Sequence, residues 1–233
     1  KSTITAGGHS NVICSDNSFI GGGYSQEISS STPAVIAGGS NNKIYGSNGG
    51  TIGGGRHNKI CVGASCSTIS GGYYNCIHST HGFLGGGTQN KVSGSHSVIG
   101  GGNTNCINGL GHNVIVGGNN NCSFGTYHNF IGGGKQNRIC GATANSSTIS
   151  GGYQNCTHGC HAVIAGGCVN EACGNCSTVG GGCGNDASEC ASTIAGGKAN
   201  TASNCYAAIG GGKLNTVSGK CSVIGGGNGN EIT

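Results

Sequence analysis

Along the chain, a large apolar residue is followed two and three positions later by Gly-Gly and six positions later by an asparagine. This marker position falls at Thr5, Ile20, Ile36, Ile52, Ile69, Leu84, Ile99, Ile115, Ile131, Ile149, Ile164, Val179, Ile194, Ile209 and Ile224, giving fifteen copies spaced 15 to 18 residues apart. Gln26 is the one departure from asparagine at plus six. A second apolar position recurs at plus eight, as in Ile28, Ile44, Ile60, Ile77, Ile107 and Ile139. Periods this short do not fit helical-hairpin repeats; they fit the coil of a parallel β-solenoid, each turn stacking on the last. The pattern therefore predicts an all-β chain, a β-roll of about 15 coils with two short strands per coil, and residues 1–233 as a single repeat domain without visible caps.

Equivalent positions in such a stack lie about 4.8 Å apart, so fifteen coils predict a rod of roughly 70 Å. Marker and plus-eight residues should meet across a thin core. The plus-six asparagine shares the parity of plus eight, so it is expected to point inward and build a ladder of stacked amides. The Gly-Gly pair is expected to turn the chain, or to let two backbones approach closely. Length variation falls between plus nine and minus three, which predicts an outer loop there. The position before each marker carries no charge and is often large, as at Phe19, Val35, Phe83, Val98, Val114, Phe130, Val163 and Val223. Strand alternation turns this position away from the coil's own core, so an apolar stripe there predicts a covering partner, and hence self-association. Both ends fall inside the repeat, so the chain is expected either to continue beyond them or to stack end to end as a filament.

Phrases such as Ser97-Val98-Ile99-Gly100-Gly101-Gly102 with Asn105, and Ser177-Thr178-Val179-Gly180-Gly181-Gly182 with Asn185, resemble the head repeats of trimeric autotransporter adhesins, of the YadA-like kind. They are similar also to Gly-Gly-Gly repeats of phage and viral fibre proteins. The resemblance covers essentially the whole chain. It implies a left-handed parallel β-roll, a homo-trimer about the long axis, and a role in surface attachment. The coils here are longer and carry cysteines, which moves the expectation toward a fibre or appendage of a virus or other extracellular structure.

Composition agrees with a repeat rather than a globular domain: 53 glycines, one proline, and no tryptophan or methionine. Glycine does not fall at every third residue, which excludes collagen. Ten basic and six acidic residues leave a net charge of +4 spread along the chain, with no dense basic stripe for nucleic acid. Lys43, Lys59, Lys91 and Arg138 share one repeat position, as a solvated face would. No stretch approaches the roughly 20 apolar residues of a membrane helix, so no membrane insertion is expected.

Sixteen cysteines without zinc-finger spacing read as a disulfide set and an extracellular, cell-surface or virion-surface location. Cys106 with Cys122, and Cys168 with Cys183, share positions in adjacent coils; Cys160 with Cys176, and Cys190 with Cys205, meet in outer loops. Cys61 with Cys76, and Cys140 with Cys156, are offset by two positions. His81, His96, His112 and His128 occupy minus three in four consecutive coils, and by strand parity would form imidazole rings for Zn or Ni in a trimer. Glycosylation sequons at Asn145 and Asn175 lie in outer loops, whereas those at Asn121 and Asn155 belong to the inward ladder.

Six carboxylates and a regular repeat argue against an enzyme, and no catalytic residue or cofactor is expected. Glu171 and Asp186 share a position in adjacent coils, as a tailspike glycosidase pair would, but nothing gathers around them. Ice binding would need an unbroken threonine array, which phenylalanine and valine interrupt. The sequence thus predicts a structural rod or head of an extracellular or virion fibre. The alternative is a glycan-binding adhesin module, with Tyr24, Tyr73, Tyr74 and Tyr153 available to stack on sugar rings.

Overall fold

The structure, a computed structural model, describes residues 3, 4, 7–141 and 143–233; the first marker, Thr5, lies outside them. It is an all-β parallel solenoid in which each coil contributes one strand to each of two parallel sheets. Among the described residues no helix occurs. The chain divides into two units, Lys1–Gly118 and Asn119–Thr233, built on the same plan.

In the first unit, the marker sheet runs through strands such as Ala34–Ile36, Gly50–Ile52, Thr68–Ile69 and Phe83–Leu84. The second sheet runs through Lys43–Tyr45, Lys59–Ile60, Cys76–Ile77 and Lys91–Val92. Pairing is in register by repeat position, with Ile52 opposite Ile69 and Ile60 opposite Ile77. The second unit repeats this: Ile149 pairs with Ile164 in the marker sheet, and Ala172 with Ala187 in the second. Strands are only two or three residues long, and alternation within them turns the marker and plus-eight residues inside, as in the exposed Phe83 beside the buried Leu84. Marker residues from Ile20 to Ile209 are fully buried, as are plus-eight residues from Ile28 to Val217. The thin core is thus a single file of side chains from each sheet.

The inward asparagines are buried as expected, yet they bond mainly to backbone. Asn58 Oδ1 accepts from the Asn75 N–H at 3.0 Å, while Asn58 Nδ2 donates to Gly54 O at 3.0 Å and Gly72 O at 2.9 Å. Each amide therefore closes its own turn and clamps the next coil. Amide-to-amide bonds add to the ladder toward its end, from Asn200 to Asn185, from Asn215 to Asn200 and from Asn230 to Asn215.

The two glycines of the pair are not equivalent. At Gly72 φ is +92° and an added Cβ would lie 2.2 Å from Gly87 O and 2.6 Å from Asn75 Nδ2; at Gly71 nothing lies within 4 Å. At this turn the strict requirement falls on the second glycine; in other coils the first also has a positive φ, as at Gly54 (+159°) and Gly86 (+146°).

Two further left-handed corners recur along the solenoid, and neither depends on glycine. At plus five, His57, Tyr74 and Val169 have φ near +55°. Their N–H groups donate backward, as Tyr74 N to Arg56 O at 3.0 Å, whereas the preceding residue donates forward, as Tyr73 N to Gly87 O at 2.9 Å. A backbone that bonds both neighbouring coils within two residues must reverse its local hand. The minus-three residues form the other corner, His81, His96, His112 and His128 among them, at φ of 53° to 57°. These histidines are turn residues and not strand residues, so the parity that aimed them at an assembly axis does not apply; the left-handed turn sets their direction. A second buried polar file lies at minus two: Ser67 Oγ donates to Ser79 O at 2.8 Å and accepts from Gly82 N at 2.9 Å.

Candidate functional site

The outward face of the marker sheet presents the uncharged position before each marker. Phe19 and Phe83 in the first unit are 37% and 41% exposed, and Phe130 and Val223 in the second are 39% and 64% exposed. Val35, Val98, Val114 and Val163 are half-buried by their neighbours along the same face. Each unit thus displays an apolar file that its own fold leaves open to solvent.

The plus-four and plus-five corners of the first unit carry an aromatic cluster. His57 stacks on Tyr74 at 4.6 Å between ring centres, Tyr73 meets Tyr74 edge-on at 4.5 Å, and the Arg56 guanidinium lies 5.9 Å from the Tyr73 ring. Tyr24 stacks on His9, and in the second unit Lys135 lies over Tyr153. A shallow groove beside the cluster is lined by His57, Tyr74, Lys43, Lys59 and Cys76.

At the minus-three corner, His81, His96 and His112 stack face to face, with ring centres 4.5 and 5.0 Å apart and planes 9° from parallel. His128 stands in the second unit beside Tyr127, at 6.1 Å.

Cys168 and Cys183 are backbone β-bridge partners in adjacent coils, and the hydrogen bond to Cys183 holds the Cys168 thiol above the usual range. Cys176 N donates to Cys160 O at 2.7 Å, and Tyr206 N, next to Cys205, donates to Cys190 O at 3.0 Å. Cys106 and Cys122 stand on second-sheet strands of different units. The offset pairs come closest: Cys61 and Cys76 sulfurs lie 3.5 Å apart, and so do those of Cys140 and Cys156.

Each of these two pairs also has a histidine, which sequence reasoning did not single out. His78 ring nitrogens lie 3.6 and 3.7 Å from Cys76 Sγ, and His158 Nε2 lies 3.3 Å from Cys156 Sγ. The signal was present in the sequence as Cys76-Ile77-His78 and Cys156-Thr157-His158, each following a cysteine one coil earlier. The hydrogen bond from Cys76 brings the Cys61 thiol down to about 7, and that from Cys156 brings Cys140 down to about 6; the donor thiols are raised. Burial, then Lys91 and Lys59, lowers His78.

Glu171 and Asp186 are register partners, with Cys173 the third member of their cluster, and burial pushes the Cys173 thiol up to about 11. Of the outer-loop sequons, Asn175 is exposed and its Oδ1 accepts from Cys160 N at 2.9 Å, whereas half-buried Asn145 accepts from Tyr127 N at 3.0 Å. Asn121 and Asn155 are fully buried. Comparison of the chain with protein-family models and with curated proteins finds no match to either.

Proposed function

We propose that this chain is the structural rod or head of an extracellular or virion-surface fibre, which assembles as a homo-trimer through the outward face of its marker sheet. The observation that carries this reading is the open apolar file in each unit, without a charge at any of its positions. Phenylalanine and valine at this repeat position, interleaved with threonine, leave apolar surface in water that a second copy would cover. A repeat fold with a core one side chain deep from each sheet gains most from such a partner. The cysteines add to the reading: Cys168 with Cys183 supplies a cross-link between coils in an oxidising setting. Sedimentation of the purified chain tests it, with a trimer mass expected and a monomer at all concentrations overturning it.

A second reading rests on the aromatic corner. His57, Tyr73, Tyr74 and Arg56 form an exposed stacking surface beside a groove, the chemistry that suits a sugar ring, and this makes the chain a glycan-binding adhesin module. Specific capture on a glycan array, lost in Tyr74→Ala, would place that reading first; absence of capture leaves the structural role alone.

A further inference from the structure

We propose that Cys61, Cys76 and His78, and separately Cys140, Cys156 and His158, are two matching three-ligand sites for a thiolate-preferring divalent ion of the zinc class. In each cluster the three ligand atoms lie within 4.8 Å of one another. Both arise from the same repeat positions: a cysteine at plus nine, then a cysteine at plus seven and a histidine at plus nine in the next coil. In-register stacking carries plus nine onto plus nine, and the two-residue period of the strand puts plus seven on the same outer face.

The spacing suits tetrahedral coordination. With Zn–S near 2.3 Å and Zn–N near 2.0 Å, tetrahedral angles set the S···S edge at about 3.8 Å and the S···N edge at about 3.6 Å. The sulfurs stand 3.5 Å apart in both clusters, and the nearest sulfur-to-nitrogen separations are 3.6 and 3.3 Å. Small side-chain adjustments therefore bring three donors around one ion, with the fourth position left to solvent. The histidine separates this assignment from a disulfide. A disulfide engages the two sulfurs and gives the imidazole no task, yet the imidazole recurs in both clusters at the same repeat position. Other second-sheet cysteines lack it: beside Cys106 and Cys122 the plus-nine residues are Asn108 and Phe124.

Each site is also reachable. Cys76 lines the groove with His57 and Tyr74, and Cys156 lines a second groove with Phe124 and Arg138. The thiols are half-buried and both histidines exposed, so an ion enters without opening the core. Glu171, Cys173 and Asp186 form a different donor set, with one sulfur and two carboxylates, and are not assigned to either site.

The test is metal retention and cobalt substitution on the full chain, purified under reducing conditions. Zn(II) is expected to remain bound after gel filtration, with one equivalent lost in Cys76→Ser, one in Cys156→Ser, and both in the double variant. Co(II) should give thiolate-to-metal charge-transfer absorption from the wild type. His78→Ala and His158→Ala alter exposed side chains only, and each is expected to weaken Co(II) binding at its own site by roughly tenfold or more. Peptide mapping of protein isolated in a separate preparation without reductant that finds Cys61 joined to Cys76 and Cys140 joined to Cys156 would overturn the assignment. So would wild-type protein that retains no Zn(II), or histidine variants that bind Co(II) as tightly as the parent.

Discussion

At the scale of single residues, the Gly71-Gly72 turn places a sharp demand on one glycine and a mild one on its neighbour. Gly72→Ala drives a Cβ into Gly87 O at a position whose φ is +92°, so a loss on the order of 3 kcal/mol or more is expected in chemical denaturation. Gly71→Ala, one residue earlier and free of contacts, should stay within about 1 kcal/mol of the parent. Equal losses from the two would show that the turn, and not the close approach, sets the requirement. Gln26 breaks the asparagine ladder in a related way. Its Oε1 still accepts from the Asn42 N–H at 2.9 Å, but its buried Nε2 has no partner. Gln26→Asn should therefore raise stability by about 1 to 2 kcal/mol, and a neutral or destabilising result would mean that the longer side chain is accommodated without cost.

At the scale of strands and turns, what was legible in the sequence was whatever repeats by residue type. Marker, plus-eight and plus-six positions use few residue types, so their burial followed from the pattern, and so did in-register parallel pairing. The left-handed corners did not, because their positive φ comes from backbone hydrogen bonds to coils on both sides and falls on His57, Tyr74 and Val169 alike. No residue type marks them, so extending strand parity to the minus-three histidines misdirects their side chains. The two Cys-Cys-His clusters were missed for another reason: each is written across two coils, and the plus-nine histidine occurs only twice. The corners give a prediction of their own. A β-branched residue in the left-handed region is strained by roughly 1 kcal/mol, and asparagine tolerates that region, as Asn41 does at φ +56°. Val169→Asn, at an exposed site, should gain about 0.5 to 1 kcal/mol, and a loss would mean that Val169 packs against something the corner needs.

Cross-strand pairs on the second sheet contribute less, and their pH dependence has a defined sign. Tyr45 Oη donates to Glu27 Oε2 at 2.6 Å and Lys43 Nζ lies 3.1 Å from the same oxygen; the tyrosine hydrogen bond is the larger cause of the lowered Glu27 pKa. A carboxylate depressed in the folded state contributes its stability above its unfolded pKa and loses it as pH falls through the folded one. Because the pair is solvent-exposed, Glu27→Gln should cost less than about 1 kcal/mol at neutral pH. Parent and variant should converge in acid, as pH falls below the usual glutamate value of about 4.3. A gap that persists there would assign the effect to packing of the side chain instead of its charge.

At the scale of the whole molecule, the two outward sheet faces differ in chemistry, and this makes the proposed assembly face testable by position. The marker sheet shows valine, phenylalanine and threonine; the second sheet shows Lys59, Lys91 and Arg138 at equivalent exposed places. If copies meet through the marker sheet, burying a charge there is prohibitive, because an unpaired charge removed from water costs several kcal/mol while the apolar contact it replaces is lost. Val98→Lys in the first unit or Val163→Lys in the second should each lower the sedimenting mass to that of a monomer. Both side chains are half-buried at the surface of a single chain, with room for a lysine head to reach water, so the fold itself should keep its circular dichroism. Lys91→Ala and Arg138→Ala on the other sheet should leave the mass unchanged. The reverse pattern would move the interface to the second sheet, and would also place the thiol clusters inside it. An oligomer indifferent to all four substitutions would mean that contact is made through the turns, in which case the apolar file is covered by some other surface.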